Sequence, residues 1–293
     1  MSIFGTIFAG LLGLAFGSFL NVCLSRWPGG ESFVQPRSHC RNCSHTLAWW
    51  ENIPLVSWLA LRGRCRGCRT WIGLRYPLVE LAVGVLWAMV AWPFFQSLAF
   101  IDAPAIGIYY ALAMVAGHMV FYWLIVALAV LDAENLWLPD WITLPGTALG
   151  FIVYLLDFKL TSGFILSKYS SIFYHEAFQR LLAIFSAAAL ILLIRWVYWL
   201  VRRSEGIGLG DAKLMALLAA WLGLPCALLA FGLGVVLGAV VAFVLLAIPT
   251  QDEDTDNWAL RKLPLGTFLC LGGIVSGLWG QPIIDAYLRW AGL

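Results

Sequence analysis

Eight apolar runs account for most of the chain: residues 3–24, 78–100, 107–131, 139–157, 179–201, 209–224, 226–249 and 264–287. A helix that crosses the ~30 Å hydrocarbon layer of a bilayer needs about 20 such residues, and no soluble core has room for eight. Of the 293 residues, 62% are hydrophobic and 12% charged, against roughly 45–50% and 25% in an average globular chain. So few charges cannot cover a water-soluble surface. The expected fold class is therefore an all-α polytopic membrane protein of about eight transmembrane helices. The same figures argue against a nucleic-acid binder, a disordered chain and a secreted disulfide scaffold. The sixth and seventh runs meet at Leu224-Pro225, which predicts a tight helical hairpin. The first run has no basic residue before it and no small-residue cleavage site, so it reads as a span and not as a cleavable signal peptide.

Charge is distributed unevenly. Residues 26–76 carry eight of the 18 basic side chains (Arg26, Arg37, Arg41, Arg62, Arg64, Arg66, Arg69 and Arg75) and only two acids, Glu31 and Glu51. With the N-terminus outside, the inner loops 25–77, 132–138, 202–208 and 250–263 hold twelve basic residues, against three outside (Lys159, Lys168 and Arg289). That asymmetry follows the positive-inside rule, so the basic loop is expected in the cytoplasm and both termini outside. Three modules are expected: a first span over 1–25, an insertion over 26–77 and a multi-span core over 78–293.

Four of the seven cysteines lie in the insertion, as Cys40-Arg-Asn-Cys43 and Cys65-Arg-Gly-Cys68. Each C-x2-C forms a knuckle that presents two thiolates to one ion, and two knuckles complete a tetrahedral site. So short a polar loop buries too little apolar surface to hold itself together and needs a staple. Four thiolates leave no open coordination position, which points to structural Zn2+. A redox pair, as in membrane thiol-disulfide oxidoreductases, is the functional alternative; His39 or His45 in place of one cysteine is another. Cys23, Cys226 and Cys270 fall on apolar spans and read as packing residues.

Ionisable residues at the edges of spans are costly. Asp132 follows the run ending at Leu131, and Asp211 closes Gly206-Ile-Gly-Leu-Gly210 before the sixth run. In the expected topology both lie at the cytoplasmic edge. Two carboxylates sharing a partly desolvated site hold one proton between them, which makes a general acid beside a general base. Such a pair can activate water against a peptide carbonyl and protonate the leaving amine. From position alone, interfacial capping and a non-enzymatic ion pathway stay open for the two aspartates. Asp140, after Pro139, reads as a helix N-cap, and Lys213 as a side chain snorkelling to the interface.

The ordered motifs carry a resemblance to a known family. Gly17-Ser-Phe-Leu-Asn-Val22 with Arg26 and Pro28, the two knuckles bracketing Asn52-Ile-Pro-Leu-Val-Ser-Trp-Leu59 and Leu61-Arg-Gly63, and Arg75-Tyr-Pro-Leu-Val-Glu80 come first. Asp132 through Leu138-Pro-Asp140, Gly208-Leu-Gly-Asp211 with Lys213, and Leu263-Pro-Leu-Gly266 follow. Together they resemble the bacterial type 4 prepilin peptidases (prepilin leader peptidase/N-methyltransferase), intramembrane aspartic proteases of the GxGD class. The resemblance implies that Asp132 and Asp211 are the catalytic pair. It implies prepilin or pseudopilin substrates of type IV pili or type II secretion, each with a short basic leader cut after a glycine, in the bacterial inner membrane with its lipid. It also implies methylation of the new N-terminus by S-adenosylmethionine, with Glu80 and Gly84 in the stretch associated with methyl transfer. Glu80 reads otherwise as an interfacial acid. The chain departs from the family pattern in Cys-Arg-Asn-Cys, which keeps the ligands, and in Asp132-Ala-Glu134, where Glu134 stands for a more usual Asp. The acidic run Asp252, Glu253, Asp254 and Asp256 reads as a solvated loop, with steering of a basic leader as its alternative.

Overall fold

The computed structural model describes residues 2–32, 35, 37–97, 105–161, 170–204, 206–247 and 263–292. Nine helices are described: α1 (Ser2–Arg26), α2 (Val56–Ala60), α3 (Arg75–Ser97), α4 (Ala105–Asn135), α5 (Asp140–Thr161), α6 (Ser170–Arg202), α7 (Leu209–Leu222), α8 (Leu224–Ala247) and α9 (Leu265–Ala291). Among the described residues there is no β-strand, only two isolated bridges in the insertion. Seven helices are long and apolar enough to cross a membrane. The other two are α2, a 5-residue helix of the insertion, and α7, whose 14 residues extend only about 21 Å. The acidic run at 252–256 and the basic residues Lys168, Arg261 and Lys262 lie outside the described residues.

The chain divides into two compact units, Met1–Ala127 and Leu128–Leu293. In the first, α1 and α3 lie side by side. Small residues allow the approach: a methyl group on Gly17 would stand 2.7 Å from Glu80 Cα. Indole N–H groups tie the first part of α4 to this pair, from Trp87 to Met119 O at 2.9 Å and from Trp123 to Phe16 O at 3.2 Å. The insertion between α1 and α3 has a small aromatic core. Trp58 and Trp71 meet edge to face at 5.7 Å, and Arg66 lies over Trp50.

In the second unit α7 is the buried helix, packed by α5, α6, α8 and α9. Leu214, Met215, Leu217, Leu218, Ala219 and Ala220 are wholly inaccessible, whereas α8 leaves most of its apolar surface exposed. A short helix inside a bilayer exposes terminal peptide groups that water cannot reach. Two arginines of α6 reach a backbone carbonyl at either end of α7. Arg195 donates to Ile207 O just before α7 at 3.0 Å, and Arg180 donates to Ala219 O near its end at 3.2 Å. Fifteen helical residues separate them, about 22 Å, which matches the length of α7. Arg180 also stacks 3.5 Å over the Tyr154 ring, and the Tyr154 hydroxyl donates to Glu176 at 2.8 Å. The chain then turns at Gly223, φ 81°, directly into α8, which is the expected hairpin.

Candidate functional site

The aspartates come from two helix ends. The helix α4 runs one turn beyond the apolar run, so Asp132 lies within its last turn and not after it; Leu136, at φ 50°, ends the helix with its N–H on Asp132 O. Asp211 is the third residue of α7. Its carboxylate accepts the N–H of Gly208 at 3.1 Å, and Gly208, not Asp211, is the N-cap. Asp132 is 6% exposed and Asp211 7%. The two carboxylates are electrostatic neighbours, and the buried Cys270 of α9 lies within electrostatic range of both.

A third segment completes this arrangement. At the start of α9, Asp132 Oδ2 lies 2.6 Å from the backbone N of Thr267 and 3.1 Å from its Oγ1. Room for this contact depends on Gly266, where a methyl group would lie 2.9 Å from Asp132 Cγ. Leu138, in the turn between α4 and α5, packs against both Gly266 and Gly210, so the first turns of α7 and α9 close on one side chain. Neither Thr267 nor Leu138 was expected as part of the site. The available signal was the Pro264-Leu-Gly266 stretch, which opens a helix and leaves the N–H of Thr267 without an intrahelical partner.

Two expectations are corrected. Asp140 opens α5, but no hydrogen bond of its side chain caps that helix; its carboxylate pairs with Lys213 Nζ at 2.5 Å. Lys213 therefore links α7 to α5, where snorkelling was expected: it points along the same face as an available anion. Both side chains are partly solvated, which makes this a weak tie.

In the first unit the four cysteine Sγ atoms lie within 4.8 Å of one another. Cys40 and Cys68 are 3.8 Å apart, and Cys43 and Cys65 3.9 Å. A tetrahedral ion with Zn–S bonds of 2.3 Å has S···S edges of about 3.8 Å, so the donor set fits a four-thiolate zinc. The two knuckles are built alike. The N–H of Cys40 reaches His45 O and that of Cys65 reaches Thr70 O, both at 2.9 Å. Ser44 and Arg69, each directly after the second cysteine, take positive φ of 57° and 60°. Hydrogen bonds from Thr70 and Asn42 bring the Cys68 thiol down to about 5, and the N–H of Cys43 lowers Cys40. Neither histidine joins the cluster: His45 Nε2 meets Glu51 at 3.3 Å, and His39 Nδ1 lies 3.0 Å from Arg37 O. The buried Glu51 also accepts the N–H of Ala48 at 2.7 Å, which holds its carboxyl below the usual range.

Glu80, 8% exposed on α3, accepts the N–H of Leu55 at 2.8 Å. Leu55 sits at φ 59°, ψ −47°, and Val56 N–H reaches Pro54 O at 2.6 Å, a γ-turn of the rare strained kind. Glu80 thus anchors a strained turn of the insertion. Gly84 faces α1, where a methyl group would meet Leu14 Cδ2 at 2.6 Å and Gly10 O at 3.2 Å. Glu80 thus meets the insertion and Gly84 the neighbouring helix α1.

Fold and side chains define a polytopic helical membrane protein with two neighbouring buried aspartates and a four-cysteine module. The Bacterial Peptidase A24 N-terminal domain model matches residues 11–94, and the Type IV leader peptidase family model matches 119–243. A prepilin leader peptidase/N-methyltransferase of Stutzerimonas stutzeri is 34% identical over 97% of this chain and 93% of its own length. That of Pseudomonas aeruginosa is 33% identical over 96% and 93%, and that of Myxococcus xanthus 38% over 97% and 82%. No solved structure matches. The chain belongs to the type IV leader peptidase family.

Proposed function

We propose that the chain cleaves the short basic leader from type IV prepilins or pseudopilins after a glycine, and N-methylates the new N-terminus with S-adenosylmethionine. The observation that carries the peptidase reading is the pair of buried carboxylates, Asp132 and Asp211, brought together from two helix ends in a chain of this family. One carboxylate accepts a proton from a water as that water attacks the scissile carbonyl. The other, protonated, hydrogen-bonds the carbonyl oxygen and stabilises the tetrahedral intermediate. Collapse of that intermediate delivers a proton to the leaving nitrogen. Exclusion of bulk water strengthens each of these interactions. The site belongs at the cytoplasmic face of the inner membrane, an orientation supported by the basic insertion.

Cys40, Cys43, Cys65 and Cys68 would hold Zn2+, whose chemistry here is structural: it ties the two knuckles of the 26–77 module together. Methyl transfer rests on the relatives, which are prepilin leader peptidase/N-methyltransferases. Glu80 and Gly84, in the stretch that the resemblance associates with methyl transfer, are its candidate residues; Glu80 also holds the turn at 54–56 and Gly84 admits α1.

The test incubates purified protein with a prepilin carrying its leader and weighs the product by intact mass. Wild type, Asp132→Asn and Asp211→Asn run in parallel, with and without S-adenosylmethionine. Leader loss in wild type alone, with about 14 Da added per methyl group, is the expected result. Cleavage that survives both substitutions sinks the aspartate assignment, and a product that gains no mass sinks the second activity.

A further inference from the structure

We infer that Thr267 is the positioning residue of the aspartate pair, holding Asp132 as the anion that takes the proton from water while Asp211 carries the proton they share. This rests on reading Asp132 and Asp211 as the proteolytic pair. The backbone N–H of Thr267 is the third of α9 and has no partner within its own helix. It points at Asp132 Oδ2 across 2.6 Å, and the Thr267 hydroxyl lies 3.1 Å from the same oxygen. That hydroxyl is also 3.0 Å from Ala129 O, and it has one proton to give. The carbonyl of Ala129 belongs to the interior of α4, where the helix itself supplies a donor. An ionised Asp132 is the stronger acceptor and draws the proton, whereas a protonated one is not, so the hydroxyl favours the anion. Each carboxylate lies at the positive end of a helix, Asp132 at α9 and Asp211 at α7, so the donors make the difference, and an ionised Asp132 receives two. Asp211 receives, among the described residues, one N–H at 3.1 Å from Gly208. When two carboxylates share a proton, the better-donated one stays ionised.

The surroundings leave this contrast intact. The titratable groups within electrostatic range of Asp132 are Asp211 from α7 and Cys270 from α9. Leu138 packs on Gly266, beside the Asp132 carboxylate. Lys213 is engaged by Asp140. No described cation competes with Thr267 for the Asp132 carboxylate.

The test measures kcat and KM for prepilin cleavage across pH for the full chain, as wild type, Thr267→Val, Thr267→Ser and Asp132→Asn, with thermal unfolding recorded on each preparation. Thr267→Val keeps the backbone donor and the shape but loses the hydroxyl. Its kcat at neutral pH is expected to fall roughly ten- to a hundredfold, with KM unchanged. The acid limb of its kcat profile moves to higher pH, because an anion with fewer donors is protonated sooner, and the alkaline limb stays in place. Thr267→Ser restores the donor and stays within about threefold of wild type. Wild-type kcat and profile in Thr267→Val overturn the inference. So does equal loss in the Ser and Val variants without a shift of the acid limb, which marks a packing role. Movement of the alkaline limb instead reverses the two roles. Cleavage by Asp132→Asn removes the aspartate reading itself, a failure distinct from that of Thr267. If Thr267→Val does not accumulate in membranes, Thr267→Ala against Thr267→Ser carries the same contrast.

Discussion

The four-cysteine cluster and the aspartate site are both made from tight turns meeting at one point, but over very different stretches of chain. Cys40 and Cys68 are 28 residues apart, and each knuckle is complete within its own turn. Asp132 and Thr267 are 135 residues apart and meet only after four helices have packed around α7. The first site therefore depends on local backbone geometry and an ion. The second depends on the register of helices that have no direct connection to one another. A local site fails by losing its ligands, whereas a packed site fails by displacement of a few tenths of an ångström.

Stripping the ligands is the largest expected effect. Cys40→Ser with Cys43→Ser removes half the donor set, and structural zinc contributes on the order of 10 kcal/mol to folding of small domains. Bound zinc should fall from one per chain to none by elemental analysis. Amide exchange across 37–72 should rise sharply, while α7, wrapped by four helices, stays protected. Exchange that spreads equally through α7 breaks the distinction between the two sites.

Displacement is probed at Gly266. The methyl of Gly266→Ala would overlap Asp132 Cγ at 2.9 Å, and a misplaced catalytic group costs about a hundredfold in rate. Cleavage should fall by that factor with thermal unfolding unchanged, since alanine favours a helical first turn. A wild-type rate would mean that the carboxylate has freedom that its contacts deny.

Arg180→Met keeps the stem of the side chain and removes the donor to Ala219 O. Ala219 O keeps the N–H of Gly223 at 3.0 Å, so the loss is that of one hydrogen bond from a charged donor, about 1.5–3 kcal/mol. The variant should unfold at lower temperature, and exchange should increase first at 216–223. Loss of stability without that local signature would assign Arg180 to packing on Tyr154 instead. The smallest effect belongs to Lys213→Ala. Its pair with Asp140 is partly solvated, and such pairs contribute about 0.2–1 kcal/mol. Thermal unfolding should shift by no more than that, and less as salt is raised.

The spans, the two cysteine knuckles and the burial cost of the two aspartates were legible in the sequence. Apolar runs near 20 residues have one physical outcome, and C-x2-C places two thiolates together wherever it folds. The run at 209–224 was equally legible as a helix, but its role was not. Nothing in its apolarity separates a span from a short helix wrapped by α5, α6, α8 and α9. The arginines that bracket it, Arg180 and Arg195, read in sequence only as charges on a span, because a guanidinium takes its meaning from the carbonyl it reaches.

Asp140 and Lys213 show the same limit. Each had a reasonable local reading, as a cap and as a snorkelling side chain, and each was claimed instead by the other across 73 residues. Composition, hydropathy and spacing decide what must be buried, which segments become helices and which thiolates share an ion, because these follow from solvent and from neighbours in the chain. Packing alone decided that Thr267 meets Asp132, that Leu138 fits between Gly210 and Gly266, and that α7 is enclosed. Those contacts join residues whose separation in the chain carries no information about their distance in space.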